Sequence, residues 1–452
     1  MLCEGVDTFR QLSSDRLPRV KISVVGCGYL GAVHAAAMSK LGHDVVGIDV
    51  DAAKVEALSQ GHAPFYEPGL PELLSETVAD GSLRFSTDIA RASEATVHFI
   101  AVGTPQQEGS NAADLRFVDA AFEALLPHIG PGHLVVGKST VPVGTAQRLA
   151  EGIEATGASL AWNPEFLREG FAVQDTISPD RLVYGVREGD DFASATLDSV
   201  YSSILAQETP RIITDFATAE LVKVAANAFL ATKISFINAM AEVAEVVGAD
   251  VTQLADAIGH DQRIGRRFLN AGLGFGGGCL PKDIRGFMAR ASELGAGDAL
   301  NFLGEVDAIN LRRRERMVDL CREVLGGTIE GARVAVLGLA FKPDSDDVRD
   351  SPALDVAARL AELGADVRAT DPQAIETSRR LRPGLNYVDS AREAAKDADV
   401  VLVLTEWREY RAIDPSELDS VVSVRAILDG RNCLDPVQWR EAGWTYRALG
   451  RP

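Results

Sequence analysis

A chain of 452 residues, 46% hydrophobic and 24% charged, has the composition of a globular protein with room for about two or three domains. Its formal net charge of −20 speaks against nucleic acid as a partner, because phosphate contacts need clustered cations. Any anionic ligand must be held by a local set of Lys, Arg and backbone N–H groups working against that global field.

The first 19 residues carry acids and polar side chains and no apolar run of a secretory signal, and are expected to form a flexible tail. At Val20 a short apolar strand, KISVV, runs straight into Gly26-Cys27-Gly28-Tyr29-Leu30-Gly31, and a helix over about 32–40 follows. The next strand, DVVGID, ends on Asp49. Three glycines at this spacing mean little alone. Between a strand and a helix, with a carboxylate closing the next strand, they form a dinucleotide fingerprint. The glycines let backbone approach a pyrophosphate, the helix N-terminus stabilises its charge, and Asp49 accepts from a ribose hydroxyl. A carboxylate there favours NAD over NADP, with Lys54 close enough to reach the adenosine ribose or solvent. Apolar runs over 96–102, 133–138 and 181–186 lack alternation, as strands of a parallel sheet buried on both faces do.

Two polar loops follow. KSTVPVGT (138–145) comes directly after a strand, as an active-site loop would. NPEFLREG supplies Glu165 and Glu169 with Arg168 between them. Paired carboxylates can do acid–base work, although an i,i+4 acidic pair is commonly a solvated helix face. A long helix is predicted over about 217–247, with Asp215 as N-cap and Gly248 as stop. It is apolar nearly all round and is expected to be buried, between domains or subunits. On it Lys223 and Asn227, four apart, share one face, and a lysine in such a setting needs a partner or a depressed pKa. No segment reaches about 18–20 uninterrupted apolar residues, so no membrane span is expected. The basic run LRRRER (311–316) reads as a solvated or interhelical helix face.

A second βα-rich segment starts at Arg333, with strands expected in VAVLGLAF, DVRATDP, DVVLVLTEW and AILDGRN and a helix near 352–363. It lacks the fingerprint: Gly338-Leu339-Ala340-Phe341-Lys342 puts bulky residues where close-approach glycines would be. Lys342 and Arg349 in that loop suit a phosphorylated ligand at the carboxyl edge of the sheet, or are plain loop charges. The fold expected is therefore α/β, two Rossmann-like doubly wound domains joined by a long central helix. The divisions expected are 20–214 for NAD binding, 215–325 for a helical dimerisation domain, and 326–452 for the second sheet.

Five cysteines (Cys3, Cys27, Cys279, Cys321, Cys433) are an odd number without a CxxC pair. Neither a disulfide framework nor a metal site is expected, and a reducing cytoplasm is. Cys279 lies in GFGGGCLPKD, followed by Lys282 and Asp283. A nearby cation enriches the nucleophilic thiolate. Beside an NAD site a thiolate has a definite use. An aldehyde cannot readily give up a hydride until a nucleophile adds to its carbonyl; a thiohemiacetal can, and becomes a thioester that water cleaves to a carboxylate.

The motifs GCGYLG, VGTP, KSTVPVGT, NPEFLREG, NAFLATKISFIN, GFGGGCLPKD, GLAFKPDSDDVRDSP, TEWREYR and DGRN together closely resemble the UDP-glucose/GDP-mannose dehydrogenase family, over about 20–432 and in the family's order. Within it, the resemblance implies four-electron oxidation of UDP-glucose to UDP-glucuronate with two NAD and one water. It implies Cys279 as nucleophile, Lys223 and Asn227 as stabilisers of oxyanion-like intermediates, and Asp283 with Thr140 at an ordered water. Glu165 is matched to thioester hydrolysis and Glu169 to the edge of substrate and nicotinamide. The base of the first oxidation is either Lys223 or water held by Asp283 and Thr140. Gly26, Gly28, Tyr29, Leu30, Gly31, Asp49, Lys54, Thr104, Thr140, Glu169, Lys282 and Arg349 fall at NAD positions. At the UDP-sugar positions fall Glu165, Phe166, Leu167, Arg168, Glu169, Lys223, Asn227, Phe268, Leu269, Asn270, Ala271, Gly272, Phe275, Gly276 and Lys342. Arg263 matches an arginine that reaches in from a second subunit, and the long helix matches a dimer core. The competing expectations are a sibling dehydrogenase for GDP-mannose or a UDP-N-acetylhexosamine, a two-electron hydroxyacid dehydrogenase, and a non-catalytic NAD-sensing protein.

Overall fold

The computed structural model describes residues 18–452; most of the expected N-terminal tail, with Cys3, lies outside the described residues. The chain divides into two compact units. One comprises the residues up to Thr104 together with Asp114–Lys223, and the other Pro105–Ala113 with Val224–Pro452.

The first unit is built on eight strands: β1 Lys21–Val25, β2 Asp44–Ile48, β3 Leu83–Ser86, β4 Val97–Ile100, β5 Leu134–Gly137, β6 Ser159–Trp162, β7 Leu182–Val186 and β8 Arg211–Thr214. Their order is β3-β2-β1-β4-β5-β6-β7-β8. Val24 lies beside Gly47 on one neighbour and Phe99 on the other, all strands running parallel there. Both faces are covered by apolar side chains, Ile22, Val24 and Phe99 on one and Val25, Ile100 and Val135 on the other, which explains the unalternating runs. One expectation needs correction: β7 is antiparallel to β6. The chain between them, with the short helix Ala172–Ile177, makes no crossover along the sheet, and a parallel neighbour requires one.

The second unit holds β9 Arg333–Leu337, β10 Asp366–Thr370, β11 Asn386–Tyr387, β12 Val400–Val403, β13 Ala426–Asp429 and β14 Thr445–Ala448, in the order β11-β10-β9-β12-β13-β14. All are parallel, and the order repeats that of the first six strands of the other sheet.

The long helix spans Phe216–Val247. Asp215 caps it, its carboxylate accepting from Thr218 N at 2.8 Å, and Gly248 leaves it at φ 72°. Its side chains are not buried all round. Phe229, Phe236, Val243, Val246 and Val247 are exposed, the first three spaced by seven residues, while Ala231, Ile237, Ala241 and Ala244 are buried. Apolar composition alone does not tell which stripe the chain itself covers. By length and composition this helix could cross a bilayer. Its polar side chains are nevertheless engaged by protein: Lys223 with Glu165, Asn227 with Asp283, and Asn238 with Gly272 N. The basic run proves interhelical. Arg313 is fully buried and donates to Glu245 at 2.6 Å, and Arg314 donates to Asp350 at 2.8 Å and also pairs with Asp355.

Candidate functional site

In the first unit, β1 feeds a turn in which Gly26 takes φ 90° and the helix Tyr29–Lys40 begins, with Gly28 as N-cap. A Cβ on Gly31 would stand 1.7 Å from Gly26 O, so close helix–strand packing requires glycine there. A Cβ on Gly28 would meet nothing within 4 Å. The turn therefore has one packed side and one open side, with a helix N-terminus facing the opening, and this fits a pyrophosphate. Asp49 is fixed at the end of β2: Oδ2 accepts from Cys27 N at 2.7 Å and Oδ1 from Asp51 N at 3.0 Å. Lys54 Nζ pairs with the same carboxylate at 3.0 Å. Of the turn's side chains, Leu30 packs on the core and the Tyr29 hydroxyl donates to Glu67. Thr104 donates to Thr140 O at 2.7 Å, tying together the loops after β4 and β5.

The same unit holds the acidic loop. Residues 163–170 are not helical, so Glu165 and Glu169 do not form the helix-face pair that their spacing allowed. Glu165 Oε1 accepts from Lys223 Nζ at 2.7 Å, and its Oε2 from Leu167 N at 2.5 Å. Side chains of this pair are only 12% and 5% exposed. Burial works against the Glu165 charge, but the Lys223 ammonium, its hydrogen bond, the Leu167 N–H and Lys138 together outweigh it and hold the carboxyl below its ordinary range. The Phe166 ring lies 3.8 Å from the Arg181 guanidinium and 5.8 Å from Lys223 Nζ. Arg168 turns outward to Asp175 at 2.6 Å. Two buried carboxylates that sequence reasoning missed fix these loops. Glu67 accepts from Gly170 N and Ala172 N, both at 2.7 Å, and Glu220 from Gly144 N and Ala146 N, both at 2.7 Å. Only the odd placement of Glu220, one turn before Lys223 on an apolar helix, could have signalled such a role.

In the second unit, GFGGGCLPKD folds into a turn that caps the helix Leu280–Glu293, with Cys279 at the N-cap. Cys279 is exposed, whereas Cys27 and Cys321 are buried. Burial pushes the Cys321 thiol up to about 12, and Cys27, buried beside Asp49, is raised further. Cys279 thus stands at the N-terminal end of this helix, the positive end of its backbone dipole. In the first turn of that helix Asp283 is buried. It accepts from Asn227 Nδ2 at 2.6 Å and from Lys282 Nζ at 2.6 Å. The glycines before the thiol approach the chain's own loops. A Cβ would stand 2.1 Å from Asn310 Oδ1 at Gly274, 2.4 Å from Asp350 O at Gly276 and 2.3 Å from the Arg349 guanidinium at Gly278. Phe275 is pinned by Asn310, which accepts from its N–H at 2.7 Å and donates to its carbonyl at 2.9 Å.

The remaining residues of the second unit are more scattered. Phe268 has φ 65° and is exposed; Leu269 and Ala271 are buried against the long helix; Gly272 N donates to Asn238, and Asn270 accepts from Arg266. Lys342 Nζ lies 5.3 Å from the Phe341 ring. Arg349 is paired with Asp347 at 2.7 Å, and the exposed Arg263 with Asp261 at 2.6 Å. In this sheet Asp371 accepts from Leu339 N, Ala340 N and Trp407 Nε1. Asp371 here, like Asp49 in the first unit, ties the end of the second strand to the first turn. Among the described residues no group of three or more His, Cys, Asp or Glu is placed to hold a metal.

Comparison with known proteins gives three matches to family models. They are the NAD binding domain of the UDP-glucose/GDP-mannose dehydrogenase family over 20–205, its central domain over 217–312 and its UDP binding domain over 335–436. A UDP-glucose 6-dehydrogenase of Rhizobium meliloti (strain 1021) is 41% identical over 96% of this chain and 100% of its own. One of Bacillus subtilis (strain 168) is 40% identical over 96% and 93%. The solved structure of a UDP-glucose dehydrogenase from Pyrobaculum islandicum superposes with a TM-score of 0.88 at 38% identity, covering 98% of this chain and 100% of that one.

Proposed function

This chain belongs to the UDP-glucose/GDP-mannose dehydrogenase family, and from that premise we propose that it oxidises UDP-glucose to UDP-glucuronate, consuming two NAD and one water. NAD, when bound, supplies the hydride acceptor for both oxidations. The open side of Gly28, the helix N-terminus at Tyr29 and the Asp49 carboxylate hold it, with Lys54, Thr104, Lys282 and Arg349 as further contacts. The residues matched to the UDP-sugar are Phe268–Gly272, Phe275, Gly276 and Lys342 in the second unit and the acidic loop in the first.

The Lys223 amine takes the proton of the sugar C6 hydroxyl as the alcohol becomes an aldehyde. The Cys279 thiolate adds to that carbonyl, and the Asn227 amide and Lys223 stabilise the oxyanion. Loss of the second hydride leaves a thioester. Water ordered by Asp283 and Thr140 cleaves its C–S bond, with Glu165 assisting, and releases the carboxylate and the thiol. The observation that carries this reading is an exposed Cys279 capping the helix in whose first turn Asp283 is buried on Asn227 and Lys282. The stripe Phe229, Phe236 and Val243 suits a homodimer, with Arg263 contributed across its interface, and the cysteine usage suits a cytoplasmic location. The test is stoichiometry with purified protein. Two NADH per UDP-glucose supports the reading; NADH from GDP-mannose and none from UDP-glucose sinks it.

A further inference from the structure

The cofactor turn and the acidic loop of the first unit meet on one buried carboxylate. Glu67 is 1% exposed and lies in the stretch Phe65-Tyr66-Glu67-Pro68-Gly69, ahead of the helix Leu70–Ala79. Its Oε2 accepts from Gly170 N at 2.7 Å and from the Tyr29 hydroxyl, and its Oε1 accepts from Ala172 N at 2.7 Å. Tyr29 is the first residue of the helix that opens on the glycine turn, and Gly170 directly follows Glu169. We propose that Glu67 is a positioning residue that joins the two: it ties the end of the acidic loop to the first turn of the cofactor helix, so that filling the glycine turn also orders the loop.

Burying a carboxylate is costly unless its lone pairs are used, and here three donors use them. The short helix Ala172–Ile177 begins at Phe171, whose side chain supplies no cap, and Glu67 takes the Ala172 N–H instead. A carboxylate suits this place because both oxygens accept, whereas a glutamine would set its NH2 against one of the donors. Beneath the polar contacts the same pieces share an apolar floor. Tyr29, Phe65, Leu167 and Val173 all pack on the core of the first sheet, and the Tyr29 and Phe65 rings lie 4.9 Å apart. The front of the loop is held by the Lys223–Glu165 pair at 2.7 Å, and its middle by Arg168, which spans to Asp175 at 2.6 Å. Glu67 fixes its end. Tyr29 is the link: its backbone stands at the helix N-terminus beside the opening at Gly28, and its hydroxyl reaches the carboxylate. A pyrophosphate that fixes the backbone of that turn therefore restricts the hydroxyl and, through Glu67, the amides of Gly170 and Ala172.

This role rests on the NAD turn and acidic loop assigned above, and the probe separates it from the choice of sugar. Hydrogen exchange of the full-length protein is followed by mass spectrometry in peptides covering 163–176, with and without saturating ADP-ribose. That ligand fills the pyrophosphate turn and has no nicotinamide to touch the loop directly. In the wild type ADP-ribose is expected to slow exchange in these peptides about fivefold or more. In Tyr29→Phe, which keeps the ring against Phe65 and removes only the hydroxyl, exchange should no longer respond to the ligand. Glu67→Gln should lose the response too, with KM for UDP-glucose up about tenfold while the Kd for ADP-ribose moves by less than about threefold. Tyr29→Phe carries the test if Glu67→Gln does not fold. A Glu67 that only supports the fold would leave the response to ADP-ribose in place in Tyr29→Phe, which overturns the proposal. A wild-type loop whose exchange ignores ADP-ribose overturns it as well. A response lost in Tyr29→Phe, in a wild type that does not turn over UDP-glucose, upholds the coupling and refutes the substrate reading.

Discussion

Replacing Lys223 with Met should destabilise the first unit in a way that its partner Glu165 controls. The pair is 2.7 Å apart with side chains 5% and 12% exposed, so solvent screens it little. Breaking a buried pair by removing one partner costs about 3–5 kcal/mol. Glu165 keeps the Leu167 N–H at 2.5 Å and the field of Lys138, which places the loss near the lower end, about 3 kcal/mol. At about 2–4 °C per kcal/mol for a domain of this size, Tm of that unit falls by roughly 6–12 °C at pH 7. In the wild type the folded-state pKa of Glu165 lies below its unfolded value. Its contribution is present above the unfolded pKa of about 4.3 and is lost as pH falls through the folded one. Without Lys223, burial dominates and raises that pKa, so the deficit is small in acid and grows with pH. Calorimetry between about pH 4 and 8 on Lys223→Met, Glu165→Gln and the double variant measures it, with a coupling of about 2 kcal/mol expected between the two sites. Losses additive within about 0.5 kcal/mol, or a deficit that grows toward acid, would refute the reasoning. Turnover in Lys223→Met should fall by roughly 10²–10⁴.

Gly28→Ala should fold with unchanged Tm, because its Cβ meets nothing, yet weaken NAD binding about tenfold or more in calorimetric titration; Gly31→Ala, with a Cβ 1.7 Å from Gly26 O, should lose both stability and binding. Unaltered NAD affinity in Gly28→Ala would remove the pyrophosphate from that open side. Asp49→Asn should raise the Kd for NAD and, by releasing Lys54 from its ion pair, narrow the preference over NADP; a preference that stays put would mean that Asp49 does not meet the ribose. Asn310→Ala leaves the Phe275 N–H and carbonyl without their partner and should cost about 2–4 kcal/mol in urea unfolding, an expectation that fails if the midpoint is unmoved. Phe236→Glu, on the exposed stripe, should shift a light-scattering mass toward the monomer, and an unchanged mass would place any dimer contact elsewhere.

Much of this architecture is written in local pattern. The unbroken apolar strands, the glycine turn ending on Asp49 and the caps of the long helix all follow from nearest-neighbour chemistry, and each is where the sequence puts it. The demand that a lysine on an apolar helix find a partner was legible too, and Glu165 answers it. What escaped depends on contacts distant in sequence. Nothing near Glu67 or Glu220 announces that each carboxylate pins a remote loop through two amides. The exposed stripe of the long helix was invisible because composition counts apolar residues without saying which of them the chain itself covers. Nor does the local sequence announce that several glycines before Cys279 make room for Asn310, Asp350 and Arg349.

The central claim is that Cys279 carries the sugar through the second oxidation, and the most direct measurement is mass spectrometry of protein quenched in acid during turnover with UDP-glucose and NAD. The account predicts a UDP-sugar acyl adduct on the peptide that contains Cys279, and a Cys279→Ala variant that forms no UDP-glucuronate. An adduct on another peptide, or a Cys279→Ala variant that still yields two NADH and the acid from each UDP-glucose, would contradict it.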